Sequence, residues 1–219
     1  MSAPIRLLLV DDDPIVRAGL VSMLGGTPAV QLVGEAGNGR DAVDAVRDLR
    51  PDVVLMDIGM PVQDGVAATA AIRRRPGAPE IIMLTTFGSD EYLLRALRAG
   101  AAGYLLKDAA PAEIVDAVLK VAAGESVLSP QSTRQLMDYV GEPDSDSRRT
   151  TAQAALGRLT ERERDVVLAV AEGKSNAEVA AALQLGVATV KTHLANSLTK
   201  LQLTNRVQLA ILAHDANPV

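Results

Sequence analysis

The sequence predicts an α/β protein: a doubly wound, five-stranded parallel sheet, followed by a second, smaller all-α domain. Three observations carry this reading. Up to about residue 124, short aliphatic runs alternate with segments of helical spacing. From Gly141 the chain turns polar and aperiodic. What remains has helical period throughout and no strand pattern.

The strands are expected at 5–10, 30–36, 52–57, 80–85 and 102–106. Between and after them, helical spacing marks 14–25, 39–50, 64–75, 89–99 and 111–123. Gly25-Gly26, Pro51, Pro76-Gly77, Gly100 and Gly124 fall near the expected helix ends. One more helix is expected over 130–140, then a flexible linker from Gly141 to about Gly157. The domains are therefore expected at 1–124 and 158–219, with a helix and linker over 125–157.

Two helix starts in the second domain are marked by capping boxes, Thr160 with Glu163 and Ser175 with Glu178. Gly186 follows Leu183-Gln184-Leu185 as a tight turn, so a third helix is expected at 187–201 and a fourth at 204–215. Two short helices joined by a turn of three or four residues, inside a small helical unit, indicate a helix-turn-helix.

A chain of 219 residues suits one large or two modest domains. Hydrophobic residues make up 48% and aromatics only 2%, so Ala, Val and Leu must fill the cores. The absence of cysteine excludes a disulfide framework and a thiolate metal site. No apolar stretch has membrane-span length and the first residues lack a signal-peptide pattern, so a soluble cytoplasmic protein is expected. The net charge of −5 is uneven: residues 1–147 carry 13 Lys/Arg against 21 Asp/Glu, and residues 148–219 carry 9 against 6. The mildly basic second part fits contact with nucleic acid.

The chemistry gathers at strand ends. Leu7-Leu8-Leu9-Val10 runs into Asp11-Asp12-Asp13, Val53-Val54-Leu55-Met56 into Asp57, and Ile81-Ile82-Met83-Leu84 into Thr85-Thr86. A parallel sheet places its ligand site at the carboxyl ends of its strands. An Asp after a strand is often only a helix cap, the role expected of Asp13 ahead of Pro14. Complementary groups at these three strand ends, with Lys107 after the fifth strand, form a more specific pattern. Mg²⁺ takes about six oxygens and usually keeps several waters, so Asp11, Asp12 and Asp57 suffice to hold it. A carboxylate is also a competent phosphoryl acceptor, and Lys107 adds a positive charge.

Residues 1–124 resemble the receiver domain of two-component response regulators, a flavodoxin-like fold. The resemblance rests on Val10-Asp11-Asp12-Asp13-Pro14, Leu55-Met56-Asp57-Ile58-Gly59-Met60-Pro61 with Asp64-Gly65, Leu84-Thr85-Thr86-Phe87 and Gly103-Tyr104-Leu105-Leu106-Lys107-Asp108. It implies that Asp57 accepts a phosphoryl group from a sensor histidine kinase. It also implies that Asp12 and Asp57 ligate Mg²⁺ directly, that Asp11 acts partly through water, and that the Gly59 carbonyl completes the protein ligands. Thr85 and Lys107 would hold the phosphoryl oxygens, and Tyr104 would be the aromatic switch, drawn inward with Thr85 on phosphorylation. Of four aromatics, Phe87, Tyr92 and Tyr104 fall in or beside the fourth and fifth strand ends, which fits that role. At Gly59, where relatives can orient the attacking water, there is no side chain, so slow self-dephosphorylation is expected.

In the helix from Val187, Thr189, Lys191, Thr192, His193 and Asn196 lie on a polar face, while Val190, Leu194 and Leu198 are spaced toward a core. Residues 158–212 resemble the LuxR-type helix-turn-helix, through Leu159-Thr160-Glu161-Arg162-Glu163-Arg164-Asp165-Val166-Val167, Gly173-Lys174-Ser175-Asn176-Ala177-Glu178-Val179-Ala180 and Thr189-Val190-Lys191-Thr192-His193-Leu194. A receiver followed by this unit is similar to the NarL/FixJ class of transcription regulators. The resemblance implies DNA contact by the recognition helix, with Lys174 and Arg206 as phosphate neighbours, and pairing of two DNA-binding domains through the last helix, including Val207, Leu209 and Ile211. Where the family commonly opens that helix with Ser and then Glu, this chain has Gly186-Val187, and Ala195 stands where some relatives carry a basic residue.

The expectation is a transcription regulator rather than an enzyme, with Mg²⁺, a histidine kinase, two-fold promoter DNA and a second copy of itself as partners. One alternative is a regulator that uses its receiver without phosphorylation. Another is a Mg²⁺-dependent phosphatase, which would need a second acid at the position of Gly59.

Overall fold

A computed structural model describes residues 3–86, 90–129, 132–134, 136 and 145–216, in two compact units, Met1–Thr133 and Arg134–Val219. The first unit runs β1 (Ile5–Val10), α1 (Pro14–Leu24), β2 (Val30–Ala36), α2 (Gly39–Leu49), β3 (Val53–Asp57), α3 (Gly65–Arg73), β4 (Glu80–Thr85), α4 (Asp90–Ala99), β5 (Gly103–Leu106), α5 (Pro111–Ala122) and β6 (Val127–Leu128). All strand pairs are parallel, in the order β2-β1-β3-β4-β5-β6.

The central strands are continuous aliphatic runs because both of their faces are covered. Leu7, Leu9, Val53, Leu55, Ile82 and Leu84 pack in one cluster with Leu20 and Leu24 of α1 and Ile114, Val118 and Val121 of α5. The alternate residues Leu8, Val10, Val54, Met56, Ile81 and Met83 are equally buried on the other face, where the Thr69 hydroxyl of α3 donates to Met83 Sδ. The chain leaves β1 for β2 on one side and resumes at β3 on the other. The carboxyl ends of β1 and β3 therefore flank the point where winding reverses, the usual ligand crevice of this architecture.

The sheet has six strands where five were expected. Val127 and Leu128 pair with Gly103 and Tyr104 at the edge, so this stretch extends the first unit beyond residue 124. A two-residue strand is too short to show a period. The helix expected over 130–140 lies largely outside the described residues, although 132–134 and 136 are helical.

The expected linker is also corrected. Helix α6 (Ser145–Leu156) occupies most of 141–157, and its Ala152 and Leu156 enter the core of the second unit. Their spacing of four residues puts both on one helical face. The polar start of the segment masks that short apolar end. Beyond it lie α7 (Glu161–Ala171), α8 (Asn176–Leu183), α9 (Val187–Leu201) and α10 (Arg206–Ala216). Both expected capping boxes form, at Thr160/Glu163 and Ser175/Glu178. Gln184, left-handed at φ 54°, closes α8, and Gly186 opens α9 without a side-chain cap. Val166, Val167, Val179, Val190 and Leu209 are completely buried at the centre of this bundle.

Candidate functional site

The end of β1 brings the completely buried Asp11 beneath a cleft, and the end of β3 brings Asp57 into its lining. With the exposed Asp12, these residues offer carboxylate oxygens all within 4.8 Å of one another. Asp13 does what its position predicted: its carboxylate accepts the Ile15 N–H at 2.8 Å and caps α1. The Arg17 guanidinium donates to the Asp11 carbonyl at 2.6 Å, and the Asp13 N–H donates to Asp11 Oδ1 at 3.0 Å, so this loop is held from two sides. No motif announced the part played by Arg17.

Lys107, just past β5, places its ammonium 2.6 Å from Asp11 Oδ2 and 2.9 Å from Asp57 Oδ1. The shorter contact is one of charge: Asp11 Oδ2 is buried and meets no partner at full hydrogen-bond geometry. Thr85 is buried at the end of β4, and its carbonyl accepts the Lys107 N–H at 2.8 Å, which ties the lysine to the hydroxyl side of the site. The cleft, about 460 Å³, is lined by Asp12, Asp57, Gly59, Thr85, Tyr92 and Lys107 among others.

Burial pushes the Asp57 carboxyl above its ordinary value, partly opposed by Lys107 and reinforced by the charge of Asp11. Burial works against the Lys107 ammonium, but Asp11 and Asp57 outweigh it and raise its pKa. Three carboxylates within reach of one another, offering only hard oxygen donors, fit a divalent cation.

The Tyr104 ring is completely buried, so the inward movement expected of it finds the ring already inside. Burial raises its phenol pKa, and the Thr85 side chain opposes that shift. Among the described residues the Tyr104 hydroxyl has no partner at full hydrogen-bond geometry. Tyr92 is half exposed and carries the Arg95 guanidinium 5.6 Å from its ring centroid. Phe87 lies outside the described residues.

Two glycines shape the site. A Cβ on Gly65 would fall 1.9 Å from the Asp57 carbonyl oxygen, so only glycine lets α3 start this close to β3. A Cβ on Gly59 would meet nothing within 4 Å. The motif contained Gly65 without revealing this contact.

In the second unit, Thr189, Lys191, Thr192 and Asn196 are exposed along α9 and His193 is partly covered, while Val190 and Leu194 are buried. The expected polar face therefore exists. Two of the basic residues are engaged within the unit. Arg206 donates to Asn176 Oδ1 at 2.9 Å and to the Lys174 carbonyl, pinning α10 to the start of α8. Lys174 pairs with Glu172. In the last helix, Leu209 is completely buried and Val207 nearly so in the unit's own core, which leaves Ile211 as the partly covered member of the expected pairing set. The Gln153 amide of α6 donates to the Ala216 carbonyl at 3.1 Å, holding α6 beside α10. No helix among the described residues is long and apolar enough to cross a membrane.

An acid cleft at the reversal point of a parallel sheet, in one chain with a helix-turn-helix unit, defines the class of DNA-binding regulators that carry a receiver domain. The model for the response regulator receiver domain matches residues 7–119, and that for bacterial regulatory proteins of the luxR family matches residues 157–213. The transcriptional regulatory protein LiaR of Bacillus subtilis is 38% identical over 212 residues, covering 96% of this chain and 97% of LiaR. The response regulator protein VraR of Staphylococcus aureus is 38% identical over 214 residues, covering 97% of this chain and 98% of VraR. Among solved structures, the response regulator ChrA of a heme-sensing two-component system is similar at 37% identity and a TM-score of 0.54, with 97% of each chain covered. The chain belongs to the two-component response regulators with a LuxR-type DNA-binding domain.

Proposed function

We propose that this protein is a cytoplasmic transcription regulator in which phosphorylation of Asp57 by a sensor histidine kinase controls pairing of two copies on a two-fold promoter site. One observation carries the reading: Asp57 and Asp11 share the Lys107 ammonium at the floor of an open cleft beside Asp12. A carboxylate oxygen of Asp57 attacks phosphorus, the P–N bond of the donor phosphohistidine breaks, and the imidazole leaves with the bond's electron pair. Lys107 and the Thr85 hydroxyl would then hold the phosphoryl oxygens.

Mg²⁺, held by Asp11, Asp12, Asp57 and the Gly59 carbonyl, would neutralise charge on the transferring group. The new acyl phosphate competes with Asp11 for Lys107 and presents acceptors to Thr85, which stands against Tyr104. Movement of Thr85 toward the phosphoryl group is the step that would reshape the α4 surface around Tyr92. In the second unit Thr189, Lys191, Thr192, His193 and Asn196 would meet DNA, with Lys174 at a phosphate once it leaves Glu172. With so few basic groups per copy, pairing would raise the local concentration of the second domain and supply the affinity a single one lacks.

The test is to treat full-length wild type and Asp57→Asn with an acyl-phosphate donor and Mg²⁺. Oligomeric state and retention of promoter-region DNA are then compared. The proposal expects a shift in both for wild type alone. Equal behaviour of the two proteins would favour a phosphorylation-independent regulator.

A further inference from the structure

The recognition helix has an unusual outer face. Val187, in its first turn, is 44% exposed and is the one large exposed hydrophobic among the described residues of the second unit. The first turn carries no acid, and its N-cap is Gly186, so no carboxylate there repels a phosphate. Thr192 and Thr199 are exposed further along, but their hydroxyls are engaged. Thr192 Oγ1 donates to the Ala188 carbonyl at 3.0 Å, and Thr199 Oγ1 donates to the Ala195 carbonyl at 2.9 Å.

A threonine hydroxyl has one proton. With that proton given to its own helix, Thr192 has none to offer the O4 of thymine or the O6 and N7 of guanine, all of which are acceptors. It still carries its γ-methyl. Ala188 and Ala195, also exposed, bring no polar side-chain atom. Thr189, Lys191, Asn196 and the partly covered His193 are therefore the polar readers, and between them the surface offers the methyl groups of Val187, Ala188, Thr192 and Ala195. In the major groove, the feature that such groups distinguish is the C5-methyl of thymine.

We propose that α9 selects its DNA through apolar contact of Val187 and the Thr192 methyl with the C5-methyl groups of thymine in the major groove. This deepens the reading of the second unit as a DNA-binding domain and rests on it. The selected half-sites carry thymine at the positions these two residues reach. A guanine or adenine beside them is read by Lys191 or Asn196.

The test uses the full-length chain, phosphorylated with an acyl-phosphate donor and Mg²⁺, and a duplex library with a random central segment. Selected duplexes are resynthesised with each thymidine replaced in turn by deoxyuridine, which removes the C5-methyl and leaves every hydrogen-bonding group. The expected result is a loss of roughly fourfold in affinity for each contacted methyl, at one or more positions per half-site. Val187→Ala and Thr192→Ser are then measured on both duplexes, with a thermal melt of each variant to verify the helix. Each variant binds the thymidine duplex more weakly and loses its sensitivity to deoxyuridine at the position it reads. Retained binding with no deoxyuridine effect anywhere overturns the inference and leaves DNA binding standing. An effect that persists unchanged in both variants assigns the reading to other residues and overturns it too. Failure to retain any duplex overturns the DNA-binding reading along with it.

Discussion

The Lys200 ammonium lies 2.7 and 2.9 Å from the two carboxylate oxygens of Glu163, 37 residues earlier in the chain. Glu163 is at the same time the acid of the α7 capping box, where it accepts the Thr160 N–H at 2.9 Å. One buried carboxylate therefore holds the start of α7 and the end of the recognition helix α9. Lys200 and Thr160 together lower its pKa to about 2.

A pH dependence follows from that value. The depressed pKa means that ionised Glu163 stabilises the folded unit above the ordinary carboxyl range, and that this stability is lost as pH falls through about 2. Glu163→Gln keeps an oxygen for the cap but no charge for Lys200, itself partly exposed. At neutral pH the substitution should cost about 1–2 kcal/mol. Circular-dichroism melts at stepped pH should show wild type and variant converging toward pH 2. A gap that stays constant across the range would remove the ion pair as its cause.

The charge on Asp57 should act in the opposite sense. Because burial raises its pKa, Asp57 favours the folded state when protonated, and that stability is lost as pH rises through the folded value. Asp57→Asn should therefore raise the melting temperature of the first unit at neutral pH without divalent cation. Mg²⁺ should stabilise wild type, by about 2.7 kcal/mol at a hundred times its dissociation constant, and Asp57→Asn much less. Melting with Mg²⁺ or with a chelator checks both, and equal Mg²⁺ increments would remove Asp57 from the ligand set.

Gly65→Ala tests the close approach of α3 to β3 beside Asp57. The new Cβ would lie 1.9 Å from a backbone oxygen that no rotamer change can move, so the β3–α3 junction must shift. A cost of about 1–3 kcal/mol is expected, as for other overpacked sites. The sharper expectation is functional. Labelling of Asp57 by an acyl-phosphate donor should slow even at temperatures where the variant remains folded. A folded variant that labels at the wild-type rate would show that the junction tolerates displacement without disturbing Asp57.

The limits of the sequence are physical. Strands β1, β3 and β4 were legible because burial on both faces forces continuous aliphatic runs, and their terminal Asp11, Asp57 and Thr85 stand out against that background. The capping boxes were legible because both partners sit within one helical turn. Strand β6 was not, since Val127 and Leu128 owe their pairing to β5 rather than to any local pattern. Helix α6 was hidden because its charged start gives way only at Ala152 and Leu156 to residues that the core can use. The engagement of Arg206 with Asn176 and the Lys174 carbonyl spans about thirty residues and leaves no local trace.

Gly59 supplies the last prediction. It lines the cleft beside Asp57, and a side chain added there meets open space, so substitution should change stability by no more than about 0.5 kcal/mol. An acyl phosphate is lost when water attacks phosphorus in line, and wild type has no side chain at this position to hold that water. Gly59→Asn brings a carbonyl oxygen and an amide to the cleft, and the carbonyl can accept a hydrogen bond from the water and orient it. The variant should therefore lose its phosphoryl group several-fold faster than wild type. The measurement is decay of phosphorylated protein after the donor is removed, followed by separation of the two forms on a phosphate-affinity gel. An unchanged half-life in a variant that labels normally would mean that access of water, rather than its orientation by residue 59, sets the lifetime of the signal.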